Sequence, residues 1–164
     1  LRRGRGRDRL IVDLVGEGRD IGDGPFDGRD QFVVGGHVGR AKPVVPDHAV
    51  FVDISRKAID TISRNIRSCR LENVSETIRC NILKKLNCLK EKKFDLIFMD
   101  PPYGKGAVRP ALENLHRSRC LKSDAVIVIE HGSGESISTD SPPFYLYDQR
   151  KFGKTIVSFT KYMI

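Results

Sequence analysis

The run Phe94-Asp95-Leu96-Ile97-Phe98-Met99-Asp100-Pro101-Pro102-Tyr103-Gly104 constrains this chain more than any other segment. Its mostly apolar half, closed by two prolines and a glycine, reads as a buried strand of a parallel sheet. The proline pair ends the strand, because neither residue has an N–H to give to a ladder. In open α/β sheets the ligand crevice lies beyond the carboxyl ends of the strands, so Asp100 is placed at its mouth.

These residue types suit a planar amine. The lone pair of an exocyclic amino group on a nucleobase is delocalised into the ring and attacks poorly. A carboxylate at Asp100 can accept one N–H and the carbonyl of Pro101 the other, which favours a pyramidal nitrogen. Neither Pro101 nor Pro102 adds a competing donor. Tyr103 can stack on the base, a contribution of about 1 to 3 kcal/mol, and help hold it outside its helix. The fitting electrophile is a sulfonium methyl held for in-line attack.

The stretch resembles the (Asp/Asn/Ser)-Pro-Pro-(Tyr/Phe) motif of S-adenosylmethionine-dependent amino-methyltransferases. With Asp100 first and Gly104-Lys105-Gly106 after Tyr103, it is most similar to the bacterial family that methylates guanine N2 in small-subunit ribosomal RNA. Arg150-Lys151-Phe152-Gly153-Lys154-Thr155 resembles the Tyr-Gly turn that closes the family's sheet, so the likeness spans about residues 48 to 162. It implies a class I methyltransferase (Rossmann-like) fold with S-adenosylmethionine as cofactor. The implied catalytic set is Asp100, Pro101, Pro102 and Tyr103, and the implied partner is ribosomal RNA or a small-subunit assembly intermediate.

The chain after residue 48 is organised accordingly. Ala49 to Asp53 reads as a strand ending in an acid, and Ala58, Ile59, Ile62, Ile66 and Cys69 recur at helical spacing over Ser55 to Cys69. Glu76 to Asn81 reads as a strand and Leu83 to Glu91 as a short helix. Ala107 to Arg119 reads as a helix with Pro110 in its first turn. Ala125 to Glu130 is apolar enough for the sheet centre, and Phe144 to Lys151 with Thr155 to Lys161 read as an antiparallel hairpin. The expected fold class is therefore α/β, with a mainly parallel sheet and one reversed strand at the C-terminal hairpin.

Cofactor residues follow from position. Asp53, an acid at a strand end, can accept both ribose hydroxyls or cap the helix near Ser55. Asn81 can read the adenine edge, as the family implies, or serve as a turn residue. Ile54 and Ile82 would border the adenine. The glycine loop has two imperfect candidates. Ile11 to Gly18 has the composition, but Asp13 stands 40 residues before Asp53. Phe32 to Gly39 has the spacing, which nominates Gly35 and Gly39, but lacks the acid and the Gly-x-Gly order. His131 could face the crevice, with a solvated or capping role as the plainer reading, and Lys105 could meet a phosphate. Arg64, Arg67 and Arg70 read as the polar face of their helix.

A chain of 164 residues with formal charge +8 suits one domain that meets a polyanion. The excess lies after residue 50, with twenty Lys and Arg against thirteen acids, compared with nine against eight before it. Residues 1 to 48 lack Ser, Thr, Asn, Tyr, Cys and Met and are dominated by Gly, Arg, Asp and Val. They read as an irregular arm with RNA-binding arginines or, because the whole segment is anomalous, as a stretch foreign to the domain. Residues 49 to 164 would then be a methyltransferase domain incomplete on its N-terminal side. Cys69, Cys80, Cys88 and Cys120 lack CxxC spacing and read as small apolar residues of a reducing, cytoplasmic compartment. No metal site, membrane span or secretory leader is expected, and a monomer is.

Two other functions remain open. A DNA adenine-N6 or cytosine-N4 methyltransferase would use the same motif, and a non-catalytic RNA-binding remnant would keep the base pocket without a working cofactor loop. A nicotinamide dehydrogenase would use Asp53 but leave the Pro-Pro strand end without a task.

Overall fold

The computed structural model describes residues 13–15, 48–84, 86–137 and 143–164. Among them, strands β1 (Asp13–Val15), β2 (Ala49–Asp53), β3 (Ser75–Arg79), β4 (Phe94–Met99), β5 (Leu121–Gly132), β6 (Phe144–Phe152) and β7 (Thr155–Tyr162) form one sheet in the order β3-β2-β1-β4-β5-β7-β6. Two α-helices accompany it, α1 (Arg56–Ser68) and α2 (Val108–Ser118). The pairs β2–β3 and β4–β5 are parallel, and β7 runs antiparallel to β5 and β6.

Each element forms for a local reason. Ser55 caps α1 by accepting the Ala58 N–H, one of the donors a helix start leaves unpaired. Ala58 and Ile66 turn into the core, whereas Cys69 at the helix end is exposed. Arg64, Arg67 and Arg70 lie on the solvent side, as expected. In α2 the buried positions Val108, Ala111, Leu112 and Leu115 make one stripe. Pro110 is its third residue, where no intrahelical N–H is lost. Leu89, Ile97, Leu115, Ile127 and Ile129 are completely buried, each contributing about 1.5 to 3 kcal/mol by leaving water.

Three expectations are corrected. First, the segment Leu83 to Glu91 is not a helix: the chain turns at 81–84 and makes only a 3-10 turn at Asn87–Leu89. The Asn81 side chain accepts the Leu83 N–H and the Asn81 carbonyl accepts the Lys84 N–H, which commits the backbone to a turn. Second, Cys80 and Cys88 form a disulfide across this turn, eight residues apart. They are not independent apolar residues, because the turn brings the two half-buried side chains together against the core. Third, the C-terminal hairpin is not the sole source of reversal. β1 runs antiparallel to both β2 and β4, with Asp13 opposite Phe98 and Val15 opposite Leu96.

That short strand pairs backbone groups that β2 and β4 would otherwise leave open in mid-sheet. Its direction also matters for the site. β1 ends beside the beginnings of β2 and β4, so the strand that precedes Gly16 and Gly18 points away from the edge where Asp53 and Asp100 emerge. Gly16, Gly18, Gly35 and Gly39, and the arginines of residues 1–12, lie outside the described residues.

Candidate active site

The carboxyl ends of β2, β4 and β5 meet at one edge of the sheet. Met99 is buried as the last residue of β4, and Asp100 follows it into the open. Pro101 is buried, Pro102 half-buried, and Tyr103 is 44% exposed. Gly104 and Gly106 both have left-handed backbone, φ +70° and +59°. These angles let the chain reverse after Tyr103 and enter α2 within a few residues.

Tyr103 is held in place rather than left to swing. Its ring lies over Gly132 at the end of β5, where an added Cβ would sit 3.6 Å from the ring carbons. Its hydroxyl donates to Glu130 Oε1 at 2.5 Å and lies 3.3 Å from Thr155 Oγ1. Partial burial and then the bond to Glu130 raise its pKa, which keeps the hydroxyl proton in place as a donor. Asp100 also has a raised pKa, first from loss of solvent and second from the nearby charge of Glu130. The crevice thus carries two carboxylates with a phenol ring fixed beside them.

Glu130 was not among the residues singled out from the sequence. The available signal was its place: an acid closing the apolar strand next to the motif strand. His131, singled out there, is neither solvated nor a cap. It is fully buried, with Nε2 2.7 Å from Ser158 Oγ and Nδ1 3.1 Å from the Gly132 carbonyl. Gln149 donates to the same Ser158 oxygen at 2.8 Å, so the serine proton turns to Nε2 and Nδ1–H serves Gly132. His131 therefore braces the strand on which Glu130 and Gly132 sit, and strand alternation sends it to the opposite face.

An apolar slot lies beside the motif. Ile54, Cys80, Asn81, Ile82, Pro101 and Pro102 line most of a cavity of about 240 Å³. Lys105, exposed, stands at its wall. The slot therefore brings the expected adenine neighbours Ile54, Asn81 and Ile82 together with both motif prolines, although they are far apart in sequence. Asn81 uses its amide oxygen on Leu83 N–H at 2.9 Å. Asp53 is buried at the end of β2 and its Oδ1 accepts the Ser55 N–H at 2.6 Å. It supports the chain leading into α1, while Ser55 makes the helix cap itself. A slot with proline and isoleucine walls and a polar edge fits the adenine of a nucleoside cofactor. Among the described residues no cluster of three or more His, Cys, Asp or Glu could hold a metal. No described helix is long and apolar enough to cross a membrane.

The model of the family described as "Conserved hypothetical protein 95" matches residues 46–161. The chain belongs to this family. Among curated relatives, the ribosomal RNA small subunit methyltransferase D of Buchnera aphidicola is 34% identical over 89 residues, 54% of this chain and 46% of that protein. YlbH of Bacillus subtilis is 31% identical over 87 residues, 52% of this chain and 47% of that protein. The chain thus spans about half the length of these relatives. A conserved hypothetical protein from Streptococcus pyogenes superposes with a TM-score of 0.63 at 25% identity, covering 71% of this chain and 72% of that one. A Haemophilus influenzae protein designated a methylase gives the same TM-score at 18% identity, covering 73% and 74%. The sheet is therefore that of a class I methyltransferase, as expected from the sequence, and the family match begins close to where the composition changes.

Proposed function

We propose that this member of the family methylates an exocyclic base amine with S-adenosylmethionine, and that its target is guanine N2 in small-subunit ribosomal RNA. The observation that carries the reading is the grouping of Asp100 and Glu130 beside the fixed ring of Tyr103. Guanine presents two neighbouring donors, N1–H and the N2 amine, and two carboxylates accept both. Adenine and cytosine carry an acceptor ring nitrogen next to their amine, which a carboxylate repels. The name of the Buchnera relative supports ribosomal RNA as the substrate class, and the basic charge of residues 51 to 164 suits a polyanion.

Bound S-adenosylmethionine supplies a methyl group made electrophilic by its sulfonium sulfur. The slot of Ile54, Asn81, Ile82 and the prolines would take its adenine, with Asp53 near the ribose. Tyr103 stacks the target base, and Asp100 with the Pro101 carbonyl accepts the two N2 hydrogens, turning the nitrogen lone pair toward the methyl carbon. Methylation of N2 would require one N2 proton to leave. Asp100 already accepts that hydrogen, and its raised pKa makes it a better base than an ordinary aspartate.

The test is incubation of the chain with S-adenosylmethionine and undermethylated small subunits, followed by nucleoside mass spectrometry. N2-methylguanosine is expected; methylated adenosine or cytidine would overturn the guanine assignment. The reversed direction of β1 favours a second reading, an RNA-binding remnant. Calorimetric titration with S-adenosylmethionine separates the two, since the remnant binds no cofactor.

A further inference from the structure

The row of residues that seats Tyr103 continues outward across the hairpin. Gly132 of β5 pairs with Thr155 of β7, and Thr155 pairs with Phe152 of β6. Directly opposed residues of antiparallel strands point to the same face. The Tyr103 ring covers Gly132 and its hydroxyl reaches Thr155, so Phe152 stands on the same face. It lies two strand spacings beyond Gly132, about 10 Å away. At 63% exposure Phe152 is the most open aromatic ring among the described residues.

The hairpin that carries that ring is basic. Lys151 and Lys154 bracket it and are exposed, and residues 144–162 hold four Lys and Arg against one acid. The tip is also firmly placed. Gly153, at φ +62°, makes the tight turn, and the Lys154 carbonyl accepts the Ser133 N–H at 2.9 Å, tying the tip to the loop after β5.

We propose that the hairpin tip is a second nucleotide subsite, where Phe152 stacks on the base beside the one held at Tyr103 and Lys151 and Lys154 neutralise flanking phosphates. This rests on the reading of the crevice as a base site. A separation of about 10 Å is far larger than the ~3.4 Å rise between stacked bases in a duplex strand, so the occupant is single-stranded RNA with its bases splayed apart. Aromatic platforms with basic surroundings bind such strands.

Fluorescence anisotropy tests this with the full chain and a pentaribonucleotide of uridines with one central guanosine. Two further oligomers carry an abasic site on either side of the guanosine. Phe152→Ala should weaken binding of the intact oligomer about 5- to 150-fold, as for loss of one stacked base, and Phe152→Tyr should restore it. One abasic oligomer should bind the wild type as weakly as the intact one binds Phe152→Ala, with no further loss in the variant. Lys154→Gln should flatten the slope of log affinity against log salt by about 0.7. Unchanged affinity in Phe152→Ala, additive losses with both abasic oligomers, or no measurable wild-type affinity would overturn the inference. Methyl transfer to the same guanosine is scored separately. Transfer with Phe152-independent binding overturns only this subsite, whereas Phe152-dependent binding without transfer overturns only the proposed activity.

Discussion

Replacing Glu130 by Gln probes the site at the group the sequence did not reveal. The amide keeps an oxygen that can accept from Tyr103, now 2.5 Å from the carboxylate, so the ring stays on Gly132. What is lost is the negative charge beside Asp100 and, in the proposed base complex, an acceptor for guanine N1–H. A well-formed side-chain contact to a base edge discriminates by about 1 to 3 kcal/mol, so kcat/KM for a guanine substrate should fall about 5- to 150-fold. The charge has a separate signature. Partial loss of solvent around the exposed Asp100 carboxylate is the first cause of its raised pKa and Glu130 the second. Removing the neighbour therefore eases ionisation of Asp100 but does not return it to the ordinary value. In the proposed mechanism Asp100 accepts the amine as a carboxylate, so the acidic limb of the pH–rate profile should move to lower pH in the variant. The assay is methyl transfer to a guanine oligonucleotide across the acid range, for both proteins. A limb at the same pH, or an unchanged kcat/KM, would refute the placement of Glu130 against both Asp100 and the base.

Other perturbations separate roles. Asp100→Ala should lower turnover by at least about 100-fold, by analogy with loss of one preorganised transition-state contact, while calorimetric affinity for S-adenosylmethionine stays near wild type. Gly132→Ala should be tolerated, because the new Cβ meets the Tyr103 ring at an ordinary 3.6 Å; Gly132→Val adds carbons beyond that contact and should raise KM by displacing the ring. Reduction of Cys80–Cys88 releases a closure of eight residues. The chain-entropy estimate for such a loop is about 2.5 kcal/mol, so calorimetry with and without reductant should show Tm falling by about 5 to 10 °C. An unchanged Tm would mean that the bond contributes nothing.

Much of the fold was legible because its signals are local. The β4 run, the strand at Ala49 to Asp53, the α2 stripe and the hairpin around Gly153 each carry their own periodicity or turn residue, and each appears within a residue or two of its expected bounds. Leu83 to Glu91 misled because its apolar spacing is compatible with a helix. An asparagine side chain, its carbonyl and a disulfide decide otherwise, and a cysteine pair eight residues apart has no sequence signature comparable to CxxC. The direction of β1 was illegible for a different reason: three apolar or acidic residues read the same in either orientation, and only their neighbours in the sheet choose.

Asp100, Pro101, Pro102 and Tyr103 are consecutive, so the donors, acceptors and ring offered at the end of β4 follow from covalent structure, and the apolar run before them already marked a buried strand. What faces these groups depends on the packing of distant segments. Glu130, Gly132 and Thr155 reach Tyr103 across 27 to 52 residues of chain, and Phe152 joins the same face through strand pairing. Such neighbours depend on register, and a shift of one residue would send each of them to the other face of the sheet.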